Sequence, residues 1–294
     1  MLLKPVSKSQ QLPEPTHPIV KYGPDKMNYL TAWLPESDEP LPVVLFMGGG
    51  GFREGDESHT PRPRGLTKDI HRLVPSGIAV VGIRHRVPSQ VVAPAPFEDV
   101  ARALQFVRSK AEEWNLDTGR IASTGTSSGG CISLWLAFHK DLAKPRRKDP
   151  IARLSTRLAC VAVNQAPTSV DPRFVQKLMP GFDVGRTNLP RLHGISMEDL
   201  DRLPKTTYRA MEESSPINHV SEDAPPTLLR YNNKRSARYT IHHAEFGFAL
   251  KERMDKVNAR CDLIAGGEAV GNSEKKTIVG FIKAEFAKVK LASV

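Results

Sequence analysis

The sequence breaks its own pattern at residues 120–139, RIASTGTSSGGCISLWLAFH, and that break limits what the chain can become. A short apolar run at Ile121 and Ala122 stops at Gly125-Thr126-Ser127-Ser128-Gly129. Beyond it Cys131, Leu134, Trp135 and Phe138 recur at i, i+3, i+4 and i+7, the spacing of one buried helix face. A strand that passes into a helix through G-x-S-x-G must turn so sharply that the residues two before and two after the serine lack bulk. Such a turn holds the Ser127 hydroxyl clear at the strand end, as a nucleophile requires. An ordinary Gly/Ser turn is the plain alternative.

The surrounding chain supplies the rest of an alternating pattern. Residues 43–47 (VVLFM) form a continuous apolar run, suited to a strand buried on both faces of a parallel sheet, and empty into Gly48-Gly49-Gly50-Gly51-Phe52. Residues 78–83, 158–163, 227–231 and 261–265 read as further strands. Helices are expected from Pro96, with Phe97, Val100, Leu104 and Val107 inward, over Phe246 to Met254, and over Ile278 to Phe286. An early hairpin joins residues 19–22 to 29–34 through Gly23-Pro24-Asp25. Residues 115–119 read as the loop before the strand that carries the break. Strands alternating with helices make an α/β fold with a mostly parallel sheet covered on both faces. Residues 1–16 read as a flexible arm and 17–294 as one domain. A Pro/Gly-rich insertion at about 169–220 reads as a lid, with one short helix near 197–203 capped by Ser196.

Composition narrows the function classes. The net charge of +10 permits contact with nucleic acid but does not show it, because the one dense basic run, 144–148 (KPRRK), has no aromatic interleaving and reads as a solvated loop. Cys131, Cys160 and Cys261 are odd in number, far apart and set in apolar runs, so they read as buried free thiols of a reducing compartment. The first residues lack the apolar core of a signal peptide, and no run of 18 apolar residues exists. The cytoplasm is the expected location, with export open if a leader had been removed. No metal-ligand spacing or cofactor motif is present, and neither nucleic acid nor membrane is an expected partner.

With these residues in view, the chain resembles an α/β-hydrolase of the esterase/lipase branch, near the feruloyl-esterase-like and hormone-sensitive-lipase-like enzymes. The likeness rests on Gly125-Thr126-Ser127-Ser128-Gly129-Gly130 against G-x-S-A-G-G, on Gly48 to Phe52 against H-G-G-G-F, and on Ser214-Ser215-Pro216-Ile217. It implies Ser127 as nucleophile, an oxyanion hole built from the N–H groups of Gly49, Gly50 and Ser128, and a small-molecule ester as substrate. Backbone donors turned inward by glycines suit that task independently. A plain loop or a phosphate cradle is the alternative for the glycines, although no G-K-[ST] follows.

The likeness fails at two of three catalytic positions. The loop expected to carry the acid, 232–238 (NNKRSAR), has none, and the loop expected to carry histidine, 266–271 (GGEAVG), has none either. His242, His243 and Glu268 are the candidate bases. His85, His219 and Asp171 read better as structural groups. Two functions follow: a serine esterase cleaving carboxylic esters, carbohydrate-linked acyl esters among them, through a Ser127 acyl-enzyme, or a catalytically impaired relative serving as a binding or scaffolding module.

Overall fold

A computed structural model describes residues 13–52 and 71–292. Among these residues nine strands form one sheet: β1 (His17–Lys21), β2 (Tyr29–Trp33), β3 (Leu41–Met47), β4 (Ala79–Ile83), β5 (Leu116–Thr126), β6 (Cys160–Asn164), β7 (Thr227–Tyr231), β8 (Cys261–Ala265) and β9 (Glu268–Ala269). Their spatial order is β1-β2-β4-β3-β5-β6-β7-β8-β9. Pairing is parallel from β4 through β8 and antiparallel where β1, β2 and β9 close the edges. The seven described α-helices are α1 (Ala95–Ser109), α2 (Ser128–Phe138), α3 (Pro172–Leu178), α4 (Leu189–Leu192), α5 (Lys205–Glu213), α6 (Glu245–Asp255) and α7 (Ile278–Ala292).

The apolar strands are buried on both sides because successive side chains face opposite ways. Val43, Leu45 and Met47 of β3 join a large core with Phe97 and Leu104 of α1, Leu134 and Trp135 of α2, and Phe246 and Leu250 of α6. Val44 and Phe46 enter a smaller core with Phe281, Ile282 and Phe286 of α7. This is the α/β architecture expected from the alternation.

Register decides where the loops emerge. Met47 lies opposite Gly125, Thr126 opposite Asn164, and Asn164 opposite Arg230. The segments leaving β3, β5, β6 and β7 therefore rise side by side at the carboxyl edge, the usual place for a site in such a sheet.

Three details depart from the reading of the sequence. First, β5 starts at Leu116, because Leu116 pairs with Leu41 and the Leu41 N–H donates to the Asn115 carbonyl at 2.7 Å. Residues 116–119 are therefore strand. Second, α2 is buried all round, because it is covered on the side away from the sheet by the segment around Pro216–His219 as well as by α1. Third, Ser196 caps only a single 3-10 turn, Met197–Asp199, by accepting from the Glu198 N–H, and the longer helix of the insertion is α5. Most of the N-terminal arm lies outside the described residues. Its end is held, since the Trp33 indole N–H donates to the Pro13 carbonyl at 2.9 Å and the Leu34 N–H to Thr16 Oγ1 at 2.9 Å.

Candidate active site

The turn between β5 and α2 is held on both sides of Ser127. Its N–H donates to the Asn164 carbonyl on β6 at 3.0 Å, and its carbonyl accepts from the Cys131 N–H at 2.9 Å. Between those anchors Ser127 takes φ 57° and ψ −124°, a conformation that costs a residue with a Cβ about 1–3 kcal/mol. Glycine at the flanks permits the approach of three backbones. A Cβ on Gly129 would collide with the Met47 carbonyl oxygen, and one on Gly125 would lie 2.6 Å from that oxygen and from the Gly129 carbonyl carbon.

Ser127 is half-buried and opens onto a cleft of about 690 Å3. Gly51, Phe52 and Ser128 share the floor, the insertion supplies Pro180 to Asp183 and Arg186 to Leu189, and Arg238 to Ile241 form the far wall. The glycine loop after β3 is tied to the turn, since the Gly51 N–H donates to Ser128 Oγ at 3.0 Å. Gly49 packs against the Thr126 carbonyl, so closely that a Cβ would lie 2.8 Å from it. Gly50 has φ 144° and open space on the side where a Cβ would stand. Ser128 is the first residue of α2, so its N–H is among those a helix leaves without an internal partner at its positive end.

Among the described residues one histidine meets the serine. His242 Nε2 lies 2.7 Å from Ser127 Oγ, and in the Nδ1–H tautomer it accepts the hydroxyl proton. Burial lowers the pKa of His242 below the usual 6.5. Its backbone is fixed by neighbours that the sequence did not single out. The His242 N–H donates to Thr240 Oγ1 at 3.2 Å, Asn233 Nδ2 donates to the His242 carbonyl at 3.4 Å, and Asn233 Oδ1 accepts from the Ala244 N–H at 3.0 Å. Asn233 stands in the loop where the resemblance calls for a carboxylate, and asparagine in a turn is the only hint that it serves as a brace.

The other candidates are engaged elsewhere. His243 is fully buried, with Nε2 donating to the Ala237 carbonyl at 3.0 Å and Nδ1 accepting from the Glu245 N–H at 3.1 Å, so both ring nitrogens are taken. Glu268 is exposed on β9 and faces Lys275 at 3.8 Å. Asp171 caps α3 through the Arg173 N–H and pairs with the Arg173 guanidinium. His85 bonds the Arg86 carbonyl through Nδ1, and burial lowers its pKa. His219 bonds the Glu213 carbonyl.

Known proteins resemble this chain in sequence and in fold. Carboxylesterase NlhH of Mycobacterium tuberculosis (strain ATCC 25618 / H37Rv) is 29% identical over 184 residues, 58% of this chain and 56% of that protein. The probable carboxylic ester hydrolase LipM of the same strain is 26% identical over 226 residues, 74% of this chain and 46% of that protein. The chain spans about half the length of these curated relatives. Among solved structures, a truncated carbohydrate esterase from gut microbiota superposes with a TM-score of 0.68 at 19% identity, covering 98% of each chain. A thermophilic esterase of the Planctomycetes species Thermogutta terrifontis superposes with a TM-score of 0.62 at 18% identity, covering 94% of this chain and 90% of that one. At such identities the likeness concerns the fold, which is that of the α/β-hydrolases. The BD-FAE family model matches residues 30–237, well over half of the sequence, and the chain belongs to the BD-FAE family.

Proposed function

We propose that the chain hydrolyses carboxylic esters through a covalent intermediate on Ser127, with His242 as the base. The observation that carries this reading is the 2.7 Å contact between His242 Nε2 and the Oγ of Ser127, which lines an open cleft. As Ser127 Oγ bonds to the ester carbonyl carbon, its proton passes to His242 Nε2. Negative charge gathers on the carbonyl oxygen, where the N–H groups of Ser128, Gly49 and Gly50 receive it. Collapse breaks the bond to the leaving alcohol, which takes the proton from His242. Water then attacks the acyl-serine, its proton passes to His242 and on to Ser127, and the carboxylic acid leaves.

Two features shape the reading. The loop at 232–238 brings no acid and no carboxylate among the described residues bonds His242, so its orientation is read from its braced backbone and the pair with Ser127 as a dyad. The relatives named as carboxylesterase and carboxylic ester hydrolase support the ester class. The fold neighbour named as a carbohydrate esterase fits acyl groups carried on sugars, a finer assignment that belongs with the same proposal. The insertion serves as the movable wall of the cleft. The expected setting is the cytoplasm, and no helix among the described residues is long and apolar enough to cross a membrane.

The missing acid favours a second reading, a binding module that keeps the turn without turnover. A fluorophosphonate probe separates the two. The parent protein is expected to label with one equivalent, Ser127→Ala not at all, and His242→Ala at a rate lower by about 10³-fold or more. A folded parent that resists the probe would leave the binding module standing.

A further inference from the structure

At the far end of α2 from Ser127, a second group of side chains has no part in ester chemistry. His139 follows the last residue of α2, Glu213 ends α5, and His219 ends a 3-10 turn, Pro216–His219, that packs on α2. One donor atom from each of the three lies within 4.8 Å of the others.

The hydrogen bonds around the two rings restrict their tautomers. His139 Nδ1 is 2.8 Å from the Lys140 carbonyl, and His219 Nε2 is 2.6 Å from the Glu213 carbonyl. A carbonyl only accepts, so each of these nitrogens carries a hydrogen, and in a neutral ring the other nitrogen is a lone pair. His139 Nε2 nevertheless lies 2.8 Å from Glu213 Oε1, itself an acceptor. Two acceptors at that distance repel unless a positive centre sits between them. A proton would serve the pair alone, whereas a metal ion also employs a third donor. Histidine pinned through one nitrogen to a backbone carbonyl, with the other turned toward a ligand, is the arrangement found around metal-binding imidazoles, and His139 has it, with Nδ1 on the Lys140 carbonyl and Nε2 facing Glu213.

The surroundings hold the rings in place and leave a way in. Trp135 packs against His139 with ring centroids 4.6 Å apart and meets the His219 ring edge-on at 6.2 Å. Its indole N–H donates to the same Glu213 carbonyl at 2.7 Å, so that carbonyl ties the indole, His219 and the end of α5 together. His139 is buried, while Glu213 keeps 45% of its side chain exposed and borders a solvent-open hollow with Asn218. That carboxylate can shift toward an ion, and the His219 ring must close on His139 from within 4.8 Å to the roughly 3.3 Å spacing implied by metal–ligand distances of about 2.0–2.2 Å in a tetrahedron, with water in the remaining position.

We propose that His139, Glu213 and His219 bind a divalent transition cation of borderline softness, Zn2+ by preference, which pins the end of the insertion to the helix that follows Ser127. Two imidazoles and one carboxylate suit such an ion rather than Mg2+ or Ca2+, which take all-oxygen sites. The eleven residues of α2 put the ion about 16 Å from the serine, so its role is to fasten, not to hydrolyse. The proposal does not depend on the esterase reading.

The test uses the full chain without an affinity tag, stripped of metal with a chelator. Zn2+ is titrated against a chromophoric competitor, and Co2+ is titrated while visible absorption and tryptophan emission are recorded. One equivalent of Zn2+ is expected to bind and raise Tm. Co2+ is expected to give an intense four-coordinate spectrum and to quench emission from Trp135. Glu213→Gln and His219→Ala, both changed at solvent-accessible side chains, should each weaken binding by at least about tenfold and reduce the Tm gain, by analogy with the sensitivity of such sites to their hydrogen-bonded neighbours. Failure of the parent to bind one saturable equivalent would overturn the proposal, as would a Co2+ spectrum no different from the hydrated ion. Undiminished binding in Glu213→Gln would also overturn it. Should either variant fail to fold, the Co2+ spectrum of the parent still decides. Probe labelling at Ser127 is a separate readout, so loss of one function is not mistaken for loss of the other.

Discussion

An imidazole beside a serine hydroxyl works as a base only while it is unprotonated, and burial favours that state for His242. The direction of the shift fixes the sign of the pH dependence. With its pKa below 6.5, His242 stays neutral as pH falls through 6.5, and activity is lost only at the lower pH where it takes up a proton. The acid limb of kcat/KM for a p-nitrophenyl ester is therefore expected to have its midpoint below 6.5, and a midpoint above 7 would contradict the environment described for this ring. The adjacent histidine behaves differently. Both ring nitrogens of His243 hold the loop that presents His242, in a fully buried position. His243→Ala leaves the Ala237 carbonyl and the Glu245 N–H without these partners and should lower stability by about 1–3 kcal/mol. In the folded fraction it should still label with fluorophosphonate, whereas His242→Ala should keep its stability and label poorly. Denaturant melts run beside labelling rates distinguish the two. Glu268→Ala, at an exposed edge position, is expected to change neither.

At the scale of elements, the turn into α2 is the tightest joint among the described residues. The end of β3, the end of β5 and the start of α2 meet with no room for a side chain at Gly129. Gly129→Ala would push a methyl into the Met47 and Gly48 carbonyls, and the helix cannot retreat because it is buried on every face. Overpacking of this kind costs about 1–3 kcal/mol or more. We expect Gly129→Ala to lower Tm and abolish probe labelling together, read by circular dichroism and labelling on the same sample. Retained labelling at parental Tm would mean that the three backbones are not in contact. The same joint explains what could be read from residues alone. Ser127 and its glycines were legible because a sharp turn admits few residue types, and the central strands because burial on both faces demands unbroken apolar runs. Helix α5 was not, since its residues, KTTYRAMEE, are mostly polar or charged and only Met211 of the nine is buried. The pairing of Ser127 with His242 rather than His243 was equally illegible. It depends on the path of residues 232–244, set by the Asn233 and Thr240 bonds, and one step along the chain separates a ring facing the cleft from a ring facing the core. The His139–Glu213–His219 group joins residues about 80 positions apart, and no local spacing could announce it.

For the whole molecule, the three thiols report whether the sheet and its two cores unfold as one body. Cys131 on α2 and Cys261 on β8 lie in the larger core, and Cys160 on β6 lies in the smaller one across the sheet. All three are free and buried. Burial raises each pKa, that of Cys261 to about 12 and the other two further still, so thiolate is scarce at pH 8 even before access is considered. The native protein is expected to release no chromophore from DTNB at pH 8 within minutes, and the unfolded chain three equivalents. The informative measurement is the denaturant dependence between those limits. The strands of the sheet contribute side chains to both cores at once, Val43 and Leu45 to one and Val44 and Phe46 to the other, so loss of strand pairing opens both cores together. The three thiols should therefore become reactive at a single midpoint that coincides with the loss of circular dichroism, as a two-state transition requires. If Cys160 reacted at lower denaturant than Cys131 and Cys261, α7 would be peeling from its face while the larger core stayed shut. The smaller core would then be a separate cooperative unit, and the expectation of one domain over residues 17–294 would have to be given up.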